Sequence, residues 1–214
     1  SALSDVRYRI FRSRRRTLTI TVSEGKVVVR APLGASDELV GRFVAEKEGW
    51  ILKKIEEQTG GEFADVMEGK TLLDDGVRKP VKYGAARSEE KGGEFFLKNE
   101  KAVRPFFEGT RCLFLPDEVF ELSRRTGMMP ADVSVRDFKA RWGCCDADGR
   151  IRLNWRLVML PPALREYVLI HELCHLKEMN LSAAFWKLVG KHCGDYRLRR
   201  RLLKKYSFLT WMYR

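Results

Sequence analysis

The chain has 214 residues, of which 44% are hydrophobic and 11% aromatic, so it can bury a core and is not an intrinsically disordered protein. Its net charge of +12 favours a polyanionic partner such as nucleic acid or a nucleotide. The alternative is general solubility, because the basic residues are spread along the chain. No apolar run reaches membrane-spanning length, so we expect no transmembrane helix.

The cysteine content bears on the cellular compartment. The five cysteines include no CxxC pair, which disfavours both a disulfide framework and a zinc ribbon. The opening stretch "SALSDVRYRI" lacks the apolar segment of a signal peptide. The sequence therefore predicts a cytoplasmic protein with reduced cysteines. It gives no indication of the oligomeric state.

Residues 1–100 predict a β-rich N-terminal subdomain that carries one amphipathic helix. "TLTITV" and "KVVVRAP" indicate two strands joined by a short turn at "SEGK". Ser36 is the predicted N-cap of a single helix, which Gly60 and Gly61 end. The segment 62–101 predicts irregular β structure.

Residues 101–214 predict a second region of mixed structure. The segment 103–126 reads as two helices, with Pro116 in the first turn of the second helix and Gly127 after its end. Two strands, at 132–145 and 150–160, are predicted around the turn "DADG".

Three helices complete the predicted second region. Pro161 and Pro162 begin a helix that we expect to run to residue 180. Ser182 caps a helix that continues to about Cys193, and Asp195 caps a last, basic helix.

The stretch "YVLIHELCHL" carries the pattern HExxH, formed by His171, Glu172 and His175. On a helix the two histidines lie about 40° apart and one turn apart, so both imidazoles can bind one metal ion. Glu172 lies about 100° round from His171, which suits a general base acting on a metal-bound water. The alternative is a pair of core histidines satisfied by hydrogen bonds.

Longer blocks of the sequence extend this pattern. The blocks "RWGCC", "LNWRL" and "HELCHL" occur in that order, after an N-terminal "SRRRTLTITVSEGKVVVRAP". With these blocks the chain resembles, over nearly its whole length, the YgjP-like zinc metallopeptidase family, which is related to the SprT and WLM zincins. The resemblance implies an α+β fold with a zincin-like catalytic region. The apolar face of the helix after Ser36 and the absence of a long flexible linker predict that the N-terminal subdomain and its helix pack on that region. It also implies zinc held by His171 and His175, with Glu172 as general base and a peptide or protein as substrate.

The family pattern has a third histidine at position 181, where this chain has Leu181. Zinc can be held by two histidines with water or a substrate group, or another residue can substitute. The candidate substitutes are Glu178, His192 and Cys145, each with an ordinary alternative as a solvated, surface or core residue. A pseudoenzyme that keeps only the fold, and an artificial replacement at position 181, are the other interpretations.

The oxyanion stabiliser that such chemistry needs is not identifiable from the sequence. Arg141, Arg156 and Tyr167 are candidates, with surface or packing roles as the favoured alternative. The strand at 150–157 reads as an ordinary sheet strand, and pairing with an extended peptide is the alternative.

Two classes of function follow. The first is a zinc-dependent hydrolase, most simply a peptidase, although the same chemistry can cleave a nucleotide phosphoanhydride. The second is a nucleic-acid-binding protein with a degenerate metal site. Its candidate residues share one side of the last helix, while Leu198, Leu202 and Leu203 are expected to face the core. These candidates are Arg197, Arg200, Arg201 and Lys204. A solvated basic helix face explains the same pattern.

Overall fold

The computed structural model describes Val6 and residues 8–59 and 61–213, and it confirms the predicted α+β class. By contacts the chain divides into two units. One consists of Ser1–Thr71 with Lys205–Phe208, and the other of Leu72–Lys204 with Leu209–Arg214. Contacts do not show which part folds by itself, so the domain division predicted after residue 100 stays a prediction. Within the described residues, no helix is both long and apolar enough to cross a membrane.

The first unit consists of a three-stranded sheet and three helices. Its elements are β1 (Arg9–Ser13), β2 (Thr19–Ser23), β3 (Lys26–Pro32), α1 (Asp37–Glu46), α2 (Glu48–Thr59) and α3 (Ala64–Met67). Strand β3 is central, parallel to β1 and antiparallel to β2. The predicted hairpin is confirmed, because Glu24 and Gly25 have φ of 51° and 71°, which a two-residue turn with right-handed strand twist requires.

The single helix predicted from Ser36 is in fact two helices. The Ser36 hydroxyl caps α1 by accepting from the Leu39 amide at 3.2 Å, as predicted. The helix then ends at Glu46 with Lys47 as its C-cap, and α2 begins at Glu48. Apolar residues continue at helical spacing through the break, so periodicity alone does not reveal it.

The second unit contains two sheets and five helices. Its strands are β4 (Thr71–Asp74), β5 (Val77–Tyr83), β6 (Glu89–Lys91), β7 (Glu94–Leu97), β8 (Asp132–Arg136), β9 (Gly143–Cys145) and β10 (Arg150–Asn154). Its helices are α4 (Val103–Glu108), α5 (Leu115–Thr126), α6 (Pro162–Cys174), α7 (Ala183–His192) and α8 (Tyr196–Leu203). Short 3-10 segments lie at Glu100–Ala102, Arg111–Phe114 and Trp155–Met159, and a longer one, Lys204–Trp211, includes the residues Lys205–Phe208 of the first unit. The predicted irregular β segment is thus a sheet in the order β4-β5-β7-β6.

The second sheet has the order β8-β10-β9. The strand predicted at 132–145 is wrong in extent, because β8 and β9 flank a non-strand segment. The buried Asn154 side chain fixes that segment by donating to the carbonyls of Phe138 at 3.1 Å and Arg141 at 2.8 Å. Strand β10 is central and paired on both sides, which supports its interpretation as an ordinary sheet strand, and β9 is an edge strand.

Helix α6 begins at the predicted Pro-Pro step but ends at Cys174, six residues before the predicted end. After Cys174 the backbone forms i to i−3 bonds, such as Leu176 N to Leu173 O at 3.0 Å, which tighten the chain out of the α-helix. The predicted cap of α7 is confirmed, since the Ser182 hydroxyl accepts from the Phe185 amide at 3.2 Å.

Candidate metal centre

His171 and His175 come together at the C-terminal end of α6. Their ring centroids are 5.0 Å apart and their planes cross at 84°. Two imidazoles that bind one tetrahedral zinc ion through bonds of about 2 Å have centroids roughly 5 Å apart. The pair therefore fits a single metal ion with two protein ligands.

The nitrogen atoms of the pair are also suited to a metal. Nδ1 of His175 lies 3.1 Å from the carbonyl oxygen of Glu178, and a proton on that nitrogen leaves Nε2 free to bind a metal. Nδ1 of His171 is buried and has no hydrogen-bond partner among the described residues. Burial, with smaller contributions from His175 and Arg200, lowers the pKa of His171 to about 4. His171 is therefore neutral at pH 7, the form that binds metals.

Aromatic side chains hold the two imidazoles in place. Phe185 stacks on His175 with a centroid distance of 4.5 Å and meets His171 edge-on at 4.9 Å. Trp186 lies 5.7 Å from His171, and Tyr167 lies 6.0 Å from it. Such contacts fix ring orientation in addition to burying apolar surface. The Ser182 cap starts α7 at the position that brings Phe185 and Trp186 to the pair.

Glu172 is buried against the edge strand β9, with only 5% of its surface exposed. A Cβ atom added to Gly143 would lie 2.9 Å from Glu172 Oε1 and 3.0 Å from its Cδ, so only glycine leaves room for the carboxyl group. Burial raises the pKa of Glu172 to about 8, with Arg141 acting in the opposite direction. A carboxyl group with a pKa near neutrality can both accept and deliver a proton. The sequence reasoning missed Gly143, whose only signal was its place in the "RWGCC" block.

No predicted substitute ligand completes the site. Among the described residues, no three His, Cys, Asp or Glu side chains form a group that could hold a metal. Glu178 contributes its carbonyl to His175, and His192 is the last residue of α7. Burial, and then the nearby Glu172, raise the pKa of Cys145 to about 11, which disfavours the thiolate that binds metals. Leu181 is 58% exposed.

The three candidate oxyanion stabilisers occupy different environments. Arg156 is fully buried and donates to the carbonyl of Met212 at 2.6 Å, so it anchors the C-terminal segment of the second unit. Arg141 is exposed. Tyr167 contacts His171 and is buried, and this burial raises the pKa of its hydroxyl to about 12. Tyr167 is therefore the one of the three with a contact to the histidine pair.

The basic face of α8 is exposed, as predicted, at Arg197, Arg200, Arg201 and Lys204. The expectation that three leucines face the core is wrong for two of them. Leu198 and Leu202 are 44% and 36% exposed, and only Leu203 is buried. A nucleic-acid contact by the basic face stays a prediction.

Comparison with known proteins gives one family match. A family model described as the YgjP-like metallopeptidase domain matches residues 16–206. No curated protein matches the chain. Among solved structures, a metallopeptidase zymogen, Pyrococcus abyssi abylysin, is 25% identical, with a TM-score of 0.35. The match covers 41% of this chain and 94% of the abylysin chain.

Proposed function

Because the chain belongs to the YgjP-like metallopeptidase family, we propose that it is a zinc-dependent peptidase in which His171 and His175 bind the metal and Glu172 is the general base. The observation that carries the proposal is the 5.0 Å separation of the two imidazoles beside a buried carboxyl group. Because Leu181 has no lone pair to offer, zinc would have two protein ligands in this chain.

Zinc, when bound, supplies a Lewis acid that polarises the scissile carbonyl group and makes a water molecule more acidic. His171 and His175 are the residues that would hold it. Phe185 and Trp186 keep the imidazoles oriented, and the Glu178 carbonyl keeps the proton of His175 on Nδ1.

Glu172 moves the proton. One of its carboxylate oxygens accepts a proton from the attacking water and later delivers it to the leaving amine nitrogen. Burial against Gly143 holds the carboxyl group in one place and shields it from bulk water. Burial raises the pKa of Glu172 to about 8, and the positive charge of a metal ion held by the two histidines would lower this pKa and favour the carboxylate, which is the form that acts as a base.

The peptide substrate has a natural place beside β9. One edge of this short strand pairs with β10, and no strand of the described chain pairs with its other edge, which is where an extended peptide would add to the sheet. Glu172 lies against the same strand at Gly143. A peptide added to the sheet there would pass close to the proposed general base.

Cleavage of a mixed peptide library, analysed by mass spectrometry, tests the proposal. We expect hydrolysis that a chelator abolishes and added zinc restores. Glu172→Gln should lower the rate by about 100-fold or more, because general acid–base catalysis typically contributes that much. The matched control is Glu121→Gln, an exposed position on α5, which should leave the rate unchanged. Hydrolysis that persists in Glu172→Gln, or that ignores the chelator, would refute the proposal.

A further inference from the structure

A stack of aromatic and cationic side chains lies next to the histidine pair. The Arg200 guanidinium is 4.7 Å from the ring centroid of Trp186, and Trp186 is 5.7 Å from His171. Tyr196 in turn stacks on Trp186, with a centroid distance of 5.5 Å and an interplanar angle of 16°. Two exposed guanidinium groups adjoin the stack: Arg197 lies 5.7 Å from the centroid of Tyr196, and Arg200 lies over Trp186, the ring that contacts His171.

Arg200 differs from its neighbour Arg199 in how its charge is used. Arg199 pairs with Glu166 at 2.7 Å and with Asp195 at 2.8 Å. No ion pair within the described part of the chain involves Arg200. A guanidinium held by an aromatic ring does not use its N–H groups for that contact. Those donors therefore stay available to a ligand.

We propose that Arg200 determines specificity by binding a carboxylate of the peptide substrate, so that the enzyme prefers peptides with an acidic group near the scissile bond. This inference rests on the proposed function. Arginine donates two parallel hydrogen bonds to a carboxylate, and the adjoining rings of Trp186 and Tyr196 lower the local dielectric and strengthen the pair. The carboxylate comes either from an Asp or Glu side chain or from the free C-terminus.

Equilibrium binding to full-length Glu172→Gln protein, followed by fluorescence anisotropy, tests the inference without cleavage. Three labelled peptides share one sequence: one with an internal Glu and an amidated C-terminus, one with Gln and a free C-terminus, and one with Gln and an amidated C-terminus. We expect at least one acidic peptide to bind roughly 10- to 100-fold more tightly than the neutral one, as for a hydrogen-bonded charge pair. The acidic peptide that shows the gain identifies the source of the carboxylate.

Substitutions added to the Glu172→Gln background assign this preference to a residue. Arg200→Met should abolish it, and Arg200→Lys should retain part of it, which shows that the site is still folded. Lys191→Met removes one exposed charge from α7 and should leave the preference intact. Equal binding of all three peptides, or a preference that survives Arg200→Met or is lost in Lys191→Met, would overturn the inference. So would Arg200-dependent binding of an oligonucleotide without any preference for acidic peptides.

The two proposals fail in different ways. Cleavage of the library without any acidic preference would leave the peptidase proposal standing and end the inference about Arg200. An Arg200-dependent preference in a protein that cleaves no peptide would end the peptidase proposal and leave Arg200 as a carboxylate-binding residue.

Discussion

At the residue scale, the position of Glu172 depends on Gly143, because a residue with a side chain would not fit there. Strand β9 comes so close to the carboxyl group that a methyl group at position 143 would overlap it. Gly143 has no positive φ that would itself require glycine. Glycine is required at this position because the Glu172 carboxyl group occupies the space that a Cβ atom would take. A sequence pattern does not reveal such a contact.

Gly143→Ala should therefore displace Glu172 and lower the rate of peptide cleavage by roughly 100-fold, as small misplacements of reacting groups do. Zinc affinity should stay unchanged, because Gly143 is not placed among the metal ligands. The control is Gly194→Ala, since a Cβ at Gly194 has no atom within 4 Å. Comparable losses in the two variants would show that the effect is not specific to Glu172.

Leu181 is the second residue whose replacement is informative. It lies between the end of α6 and the Ser182 cap of α7, where the Ser182 amide donates to the Asn180 carbonyl at 2.8 Å. Leu181→His should strengthen zinc binding by at least about 10- to 100-fold. Loss of a residue that only hydrogen-bonds to a metal ligand already lowers metal affinity by that factor, and a direct ligand should contribute at least as much. A zinc titration against a competing chelator measures this change. Equal affinities in the two proteins would show that position 181 is not a ligand position.

At the element scale, the sequence predicts features that depend on neighbouring residues, but it does not predict those that depend on tertiary contacts. The caps at Ser36 and Ser182 and the hairpin at Glu24 follow from short-range hydrogen bonds and backbone preferences. The break after α1 and the early end of α6 have no such local signal. Periodicity gives the face of a helix, whereas its end also depends on contacts with distant residues.

In the candidate metal centre, too, contacts within one helix are predictable from the sequence and contacts between distant segments are not. The approach of His171 to His175 follows from their spacing on one helix. The aromatic contacts from α7 and the contact of Glu172 with β9 join segments that are distant in sequence. No spacing rule connects such segments, so Phe185, Trp186 and Gly143 were not predicted.

The sheet β4-β5-β7-β6 carries a network of charges that gives a pH-dependent prediction. Asp74 is buried and accepts from Lys79 at 2.7 Å and from Arg111 at 2.9 Å, and both cations also pair with Glu90. Burial alone would raise the pKa of Asp74, but the bonds from Arg111 and Lys79 outweigh it and lower the pKa. The stability from this carboxylate is therefore present above its unfolded pKa of about 4, and it is lost as the pH falls further.

Asp74→Asn should lower the free energy of unfolding by about 1.5–3 kcal/mol at pH 7, the range for hydrogen bonds to charged groups. The difference from the wild type should shrink at pH 3, where the unfolded state already holds the proton. Urea unfolding at both pH values measures this. A difference of the same size at pH 3 and pH 7 would contradict the role given to the charged form.

At the scale of the whole molecule, the first unit takes residues from both ends of the described chain. Phe63 packs on Tyr206 at 4.9 Å and on Phe208 at 5.3 Å between ring centroids, and all three side chains are buried. The sequence assigned everything after residue 100 to one region. Composition and periodicity are local properties, so they do not show that Lys205–Phe208 belongs to the first unit.

Phe63→Ala should lower the free energy of unfolding by about 3–5 kcal/mol, because it removes the ring that Tyr206 and Phe208 pack against. Phe11→Ala is the matched control, since Phe11 is 51% exposed and should have a much smaller effect. Chemical denaturation of both variants gives the comparison. Equal destabilisation would show that the aromatic cluster does not stabilise the first unit.

The zinc content of the purified full-length protein, measured by elemental analysis after equilibration with zinc, tests most directly whether His171 and His175 form a metal site. We predict one zinc ion per chain in the wild type. The double variant His171→Ala/His175→Ala should lose it, and His192→Ala, which removes the remaining histidine of the chain, should keep it. A wild-type protein that holds no zinc, or a double variant that holds as much as the wild type, would contradict the metal site.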